Sequence, residues 1–330
     1  MSDLNEAQIR SFQQSRGLAV TGFIDAMTAR ALEESRWKLG DRSLNLQDHP
    51  LMRGDDVAAL QSRLTEMGFD CGRVDGIYGA RSASAVREFQ QSAGIVVDGK
   101  CGPETIIALL RLTRMVSGGA PNALRENAAQ KNRGPALANK IIVLNPDGDN
   151  ALVYDVALRT EGRLLALGAS VFLTRGIANN PSELERITFA NQSSADLMIS
   201  LHLDGYKNET AHGVATYFYG SDAHGIHSTV GERFASLVQR EICARTDLLN
   251  CRTHAMAWDL LRLTRAPAVQ IDLGYLSNPG DIERLSRPDF RDVIAEALVI
   301  SIQRLYLAAE DDAKTGTLRI SDLRKAGIRR

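Results

Sequence analysis

The tetrapeptide Phe12-Gln13-Gln14-Ser15 returns as Phe89-Gln90-Gln91-Ser92, an offset of 77. At the same offset Gly17, Val20, Gly22, Thr28, Ala31 and Leu32 match Gly94, Val97, Gly99, Thr105, Ala108 and Leu109. A shorter echo at offset 23 sets Val74-Asp75-Gly76-Ile77-Tyr78-Gly79 against Val97-Asp98-Gly99-Lys100-Cys101-Gly102. A repeat of this kind constrains the fold strongly, because each copy must solve the same packing problem with the same residues. Each Asp-Gly pair marks a turn in which glycine takes a positive φ. The flanking stretches, Val57, Leu60, Gln61, Leu64 and Val86, Phe89, Gln90, have helical spacing. The counterpart of residues 54–77 would precede Met1, so the first copy is expected to lack an opening helix and a first Asp-Gly turn.

These features, with Gly54-Asp55-Asp56-Val57, Leu60-Gln61 and Leu64 opening the second copy, resemble the three-helix peptidoglycan-binding domain. The organisation expected is a partial repeat over residues 1–45 and a complete peptidoglycan-binding domain over 50–115. A polar connector punctuated by Gly and Pro, beginning near Ser117-Gly118-Gly119-Ala120-Pro121, covers 116–139. An α/β domain occupies 140–307 and a tail 308–330.

In the α/β part, strands at 141–144, 171–174, 196–201, 214–219 and 268–272 alternate with helices at 151–167, from Pro181-Ser182, at 229–245 and at 288–308. Such alternation predicts a layered α/β fold with helices on both sheet faces, preceded by small all-α repeats. A chain of 330 residues has ample material for two cores, and a net charge of −1 gives no field favouring nucleic acid or anionic membrane. No apolar run approaches the roughly 18 residues of a membrane span. Cys71, Cys101, Cys243 and Cys251 are too scattered for a disulfide framework and read as reduced thiols. The segment from Met1 to Ala7 has neither the basic start nor the apolar core of a secretory signal, so the expected location is cytoplasmic.

Three motifs occur in order: Asn145-Pro146-Asp147-Gly148-Asp149-Asn150 after a strand, Ile199-Ser200-Leu201-His202, and Val269-Gln270-Ile271-Asp272-Leu273-Gly274-Tyr275. Together they resemble the zinc-dependent N-acetylmuramoyl-L-alanine amidases, which cleave peptidoglycan stem peptides. In that family the first strand ends Asp-Pro-Gly-His, and this His, a Glu opening the next helix and the His of Ser-Ile-His hold zinc. A Glu before Gly-Phe is catalytic. By that resemblance Gly148 or a neighbour stands where the first His would be, Asp149 lies near the Glu ligand position, His202 is retained, and Asp272 replaces the catalytic Glu. A catalytic zinc needs three protein ligands and an open position for water, so no intact catalytic set is expected and no cofactor is assigned.

Asp147 or Asp149 could substitute as carboxylate ligands, and that keeps a second reading open: an active amidase with a rearranged zinc site. Asp149 or Asn150 would otherwise cap the following helix. The loop that the family places between its first two ligands, along the substrate groove, is nearly gone. His212, His224, His227 and His254 read as isolated polar residues, and Trp258 as core. Ser200 and Ser277 lack a nucleophile elbow, and Gly118-Gly119 is no phosphate loop.

The combination resembles an actinobacterial branch of the family whose members regulate rather than hydrolyse. The resemblance implies partners: the cytoplasmic enolpyruvyl transferase that commits UDP-N-acetylglucosamine to wall synthesis, a serine/threonine kinase, and peptidoglycan precursors or fragments as further ligands. In the tail, Glu310-Asp311-Asp312 precedes Lys314-Thr315-Gly316-Thr317, with Arg319 and Arg324 beyond. It reads either as a solvated extension or as a segment regulated by phosphorylation at Thr315 or Thr317.

Overall fold

The computed structural model describes residues 4–112, 126, 128, 134, 136–221 and 226–307. Thr315 and Thr317 therefore lie outside the described residues. The chain divides into two compact units, an all-helical one and an α/β one.

The helical unit contains α1 (Glu6–Ser15), α2 (Ala26–Glu34), α3 (Asp55–Glu66), α4 (Ala80–Ala93) and α5 (Pro103–Leu112). Its organising element is one hydrogen-bond pattern used three times. Gln90, 1% exposed on α4, donates through Nε2 to Asp98 Oδ1 (2.8 Å), Lys100 O (2.9 Å) and Thr105 Oγ1 (3.0 Å). Its Oε1 accepts from the Asp98 and Gly99 amides at 3.0 and 2.8 Å. Gln61 on α3 does the same with Asp75, Ile77 and Ser82, and with the amides of Asp75 and Gly76. Gln13 on α1 binds Thr21, Phe23 and Thr28, and the amide of Gly22. Each glutamine thus ties its own helix to a turn and to the first turn of the next helix. The turn glycines sit at φ of +82°, +71° and +70° for Gly22, Gly76 and Gly99. There a β-carbon would be strained.

Around these clamps lies an apolar core including Leu44, Leu60, Leu64, Tyr78, Val86, Phe89 and Leu109. Leu44 enters it by pairing its backbone with Cys101, at 3.1 and 2.7 Å. Asp56, 1% exposed, is neutralised by Arg42 at 2.7 Å. Burial pushes the Cys101 thiol up to about 12, so it is a packed thiol with no thiolate character near neutral pH.

The α/β unit is a mixed sheet of β1 (Ile141–Pro146), β2 (Ser170–Leu173), β3 (Leu197–Asp204), β4 (Val214–Ser221), β5 (Ile226–His227), β6 (Asn250–Met256) and β7 (Ala268–Tyr275). The order is β2-β1-β3-β7-β4-β5, with β6 also paired to β4. The pairs β1–β2, β1–β3, β3–β7 and β4–β6 are parallel, and β4–β7 is antiparallel. Helices α6 (Ala151–Ala166), α8 (Thr229–Cys243) and α11 (Pro288–Tyr306) pack together over one face. On the other side α7 (Glu183–Gln192) meets the short α9 (Asp259–Leu263), and α10 (Pro279–Ser286) follows β7. This is the layered α/β arrangement expected from the sequence.

Local signals set the ends. Asn150 caps α6 by accepting from Leu152 N at 2.8 Å, and Gly168 at φ +85° stops the chain beyond it. Ser182 and Glu185 form a capping box on α7. Between α8 and α11, Arg304 (0% exposed) donates to Glu241 at 2.8 Å, and Arg245 approaches the same carboxylate. Glu126, in the connector, accepts from Thr229 Oγ1 (3.2 Å), Val230 N (3.3 Å) and Ser228 Oγ, so it anchors to the start of α8. Among the described residues no helix is long and apolar enough to cross a membrane.

The clamps give a direct test. Gln90→Ala would leave the buried Gly99 amide and the part-buried Asp98 amide without their acceptor, and would remove the donor that joins Asp98, Lys100 O and Thr105. It should cost about 2–4 kcal/mol in urea denaturation followed by helical circular dichroism. A loss under about 0.5 kcal/mol would show that the turn is held by something else.

Candidate functional site

Strand register assembles the site. On one sheet face Asn145, Ser200, Gln270, Tyr217 and His254 fall opposite one another on β1, β3, β7, β4 and β6. Two residues along, His202 on β3 faces Asp272 on β7. Alternation of side chains along a strand puts both rows on the same face.

The first row is a hydrogen-bonded floor. Thr174 Oγ1 donates to Asn145 Oδ1 at 2.6 Å, and Asn145 Nδ2 donates to Ser200 Oγ at 2.8 Å. Asn145 and Ser200 are fully buried. Gln270 Nε2 donates upward to Asp272 Oδ1 at 3.0 Å.

The second row holds the chemistry. His202 Nδ1 lies 3.0 Å from Asp272 Oδ1, the histidine half-buried and the carboxylate almost wholly so. Burial by itself pulls the imidazole pKa down. The Asp272 hydrogen bond and the charges of Asp272, Asp147 and Asp204 act the other way and prevail, leaving His202 above its ordinary 6.5. Burial raises the Tyr217 phenol strongly, aided by the nearby Asp272 charge. Burial and the adjoining Asp204 push Tyr275 up to about 12, and burial raises Asp204 itself. Trp258 is half-buried against Tyr217 at 4.7 Å between ring centroids, and His254 stacks on Tyr217 at 5.6 Å. Trp258 therefore borders this cleft rather than filling the core.

At the end of β1 the turn is held by arginines. Arg186, 7% exposed on α7, pairs with Asp147 and reaches Asn145 Oδ1 at 3.5 Å. Arg175 Nε donates to Pro146 O at 2.7 Å, and its guanidinium lies 5.0 Å over the Tyr154 ring. Asp149 is exposed and makes no hydrogen bond or ion pair with His202 or Asp272. The carboxylate of this turn whose charge is felt at His202 is Asp147. Gly148, at φ +67°, has open space where a β-carbon would point.

This donor set does not fit a zinc ion. Gly148 supplies no donor, and the Asn150 carboxamide is engaged at the α6 N-terminus. Asp147 is neutralised by Arg186, and His202, with Nδ1 on Asp272, offers a single nitrogen, Nε2. Among the described residues no group of three or more His, Cys, Asp or Glu side chains could hold a metal. What the arrangement can do is hold a proton: an imidazole oriented by a carboxylate that also accepts from Gln270.

The sequence reading named His202 and Asp272 and passed over Tyr217, Gln270, Asp204 and Arg186. A signal was present for some of them. Ser200 and Gln270 stand two residues before His202 and Asp272, the spacing that shares a strand face.

Comparisons with known proteins follow this geometry. The N-acetylmuramoyl-L-alanine amidase family model matches residues 146–304, and a peptidoglycan binding domain model matches 53–109. The chain is 42% identical to N-acetylmuramoyl-L-alanine amidase CwlM of Mycobacterium tuberculosis, over 96% of this chain and 82% of that protein. It is 27% identical to the germination-specific N-acetylmuramoyl-L-alanine amidase of Bacillus subtilis, over 53% of this chain and 83% of that protein. Among solved structures, amidase Ami1 of Mycobacterium smegmatis aligns at TM-score 0.46 and 21% identity, covering 52% of this chain and 98% of that one.

A raised histidine pKa in the folded state means that the His202–Asp272 pair stabilises the fold fully below about pH 6.5. That contribution fades as pH rises through the folded value. In an NMR titration, His202 should titrate above 6.5, and Asp272→Asn should lower its pKa. The same substitution should reduce the melting temperature more at pH 6 than at pH 9. A His202 pKa unmoved by Asp272→Asn would show that the two do not share a proton.

Proposed function

The chain belongs to the N-acetylmuramoyl-L-alanine amidase family, and from that premise we propose that it is a catalytically degenerate member acting as a regulator of peptidoglycan precursor synthesis. The observation that supports this reading most is the donor set. One imidazole remains where three ligands are required. Asp272 is shared between His202 and Gln270, which favours a structural acceptor over a base poised above a water. No cofactor is assigned.

In this reading the protein works in the cytoplasm by binding. Its proposed partner is the enolpyruvyl transferase that commits UDP-N-acetylglucosamine to wall synthesis, and peptidoglycan precursors or fragments are further ligands. A serine/threonine kinase acts on Thr315 or Thr317, where a phosphate would carry about −1.5 to −2 charges between the acidic run at 310–312 and Arg319 and Arg324. Opposed pulls of that kind favour moving the segment onto an arginine-bearing partner.

A second reading is favoured by one observation, the amidase name carried by the 42% identical relative. It makes the chain an active hydrolase with a rearranged zinc site.

Purification without chelators separates the two. The regulator should contain far less than one zinc per chain and release no stem peptide from muropeptides or sacculi, with or without added zinc. Stoichiometric zinc together with hydrolysis lost on His202→Ala would establish the hydrolase. For the partner, immobilised full-length chain should retain the purified transferase and raise its rate. Affinity should differ between the kinase-treated chain and the variant with Thr315→Ala and Thr317→Ala. Equal affinity in both would leave the tail a passive extension.

A further inference from the structure

The helical unit contains a groove of about 720 Å³ between the tail end of the first repeat and the outer face of α3. Its volume lies within the range of small-molecule sites, roughly 300–1,000 Å³. Most of its first-repeat wall, from Arg16 to Leu39, falls before the residues that match the peptidoglycan binding domain.

Three features give the groove a definite chemistry. The first is Trp37, which lines it. Its ring is fixed by the Arg42 guanidinium 4.6 Å from the centroid, and Arg42 is itself held by buried Asp56 (2.7 Å) and Arg53 O (2.7 Å). A preorganised indole is a stacking platform for a planar ring. The second is a pair of cations, Lys38 and Arg63, neither with an ion-pair partner among the described residues. Arg63 is half-buried, so part of its hydration is lost with no carboxylate in exchange. The third is the Arg16–Asp55 fork, with two contacts of 2.7 Å, which cancels its own charge. Against Lys38 and Arg63 the lining then sets one carboxylate, Glu66, which accepts from Ser62 Oγ at 3.3 Å, so the balance stays positive.

We propose that this groove is a binding site for a nucleoside diphosphate or its sugar ester, the base stacking on Trp37 and the diphosphate meeting Lys38 and Arg63. A ring alone would leave both cations unmatched, and a bare anion would make no use of the part of the indole, already held by Arg42, that lines the groove. A diphosphate bridged to a planar base satisfies both at once. The assignment rests on the groove alone and stands whether or not the α/β unit is catalytic.

The chain has two tryptophans, so Trp258→Phe makes Trp37 the single indole reporter in the full-length protein. Fluorescence would be titrated with UDP, UDP-N-acetylglucosamine, inorganic diphosphate and N-acetylglucosamine. Saturable quenching is expected with the two nucleotides and not with the neutral sugar, with inorganic diphosphate at least about tenfold weaker. Lys38→Gln and Arg63→Gln should each weaken nucleotide binding about tenfold or more, the range for losing a charged hydrogen bond. Lys38 is exposed, so that variant tests the charge without risk to the fold, and Arg63→Lys should recover part of the affinity. Absence of nucleotide quenching to millimolar concentration, equal affinity in the charge variants, or diphosphate binding as tightly as UDP would each overturn the proposal.

Discussion

The register of β3 against β7 is the constraint on which the α/β unit depends. It pairs Ser200 with Gln270 and His202 with Asp272, while Ile199, Leu201, Val269 and Ile271 turn to the opposite face. A slip of one residue would exchange the two sets, burying His202 and Asp272 under α8 and α11 and sending the branched apolar residues into the cleft. That alternative is costly on both faces, so the register is strongly specified. The buried Thr174–Asn145–Ser200 chain reinforces it across β1 and β2, because each of these polar groups has its partner only in this alignment.

The same constraint leaves the scaffold resting on contacts among its own side chains. The residues that hold the end of β1 are Arg175 and Arg186, acting on Pro146 O, Asn145 and Asp147. The glycine at position 148 leaves no hole in the core, since the space there is open. At the other pole, Asp272 meets His202 and accepts from Gln270. A buried carboxylate with such partners is stable in a way that a bare one is not. The polar pair is thereby part of the fold.

Much of this was legible from the chain. The repeat at offset 77, the β-α alternation and the order of the three motifs fixed the layered fold and singled out His202 and Asp272. Gln61 and Gln90 sat on the helical faces as if apolar, which is where they lie, but nothing local revealed that each binds a turn and the next helix. Strand β6 was missed because Asn250-Cys251-Arg252-Thr253-His254 alternates between exposed and half-buried positions with little apolar signal. Helix α10 was missed although Asn278 caps it and Pro279 opens it, because it is only 8 residues long. The Arg186–Asp147 and Glu126–Ser228 contacts join residues 39 and 102 apart, and no local pattern encodes such distances.

The helical unit shows the complementary case, in which a polar residue rather than an apolar one carries the repeat. In each clamp a single buried glutamine replaces what would otherwise be several hydrogen bonds from separate side chains, and at Gln61 and Gln90 a glycine with positive φ lets two backbone amides point at one oxygen. The first copy departs in two respects: among the described residues Gln13 receives only the Gly22 amide, and Thr21 stands where Asp98 stands in the second, so a hydroxyl accepts the glutamine amide in place of a carboxylate. The clamp persists because the geometry requires an acceptor there, not a charge. Where charge is retained, it is put to use, since the backbone amide of Lys100 and the Gln90 side chain hold the Asp98 carboxyl below the usual carboxylate range. The glutamine is therefore the invariant of the motif, and the acid is an adjustable part of it.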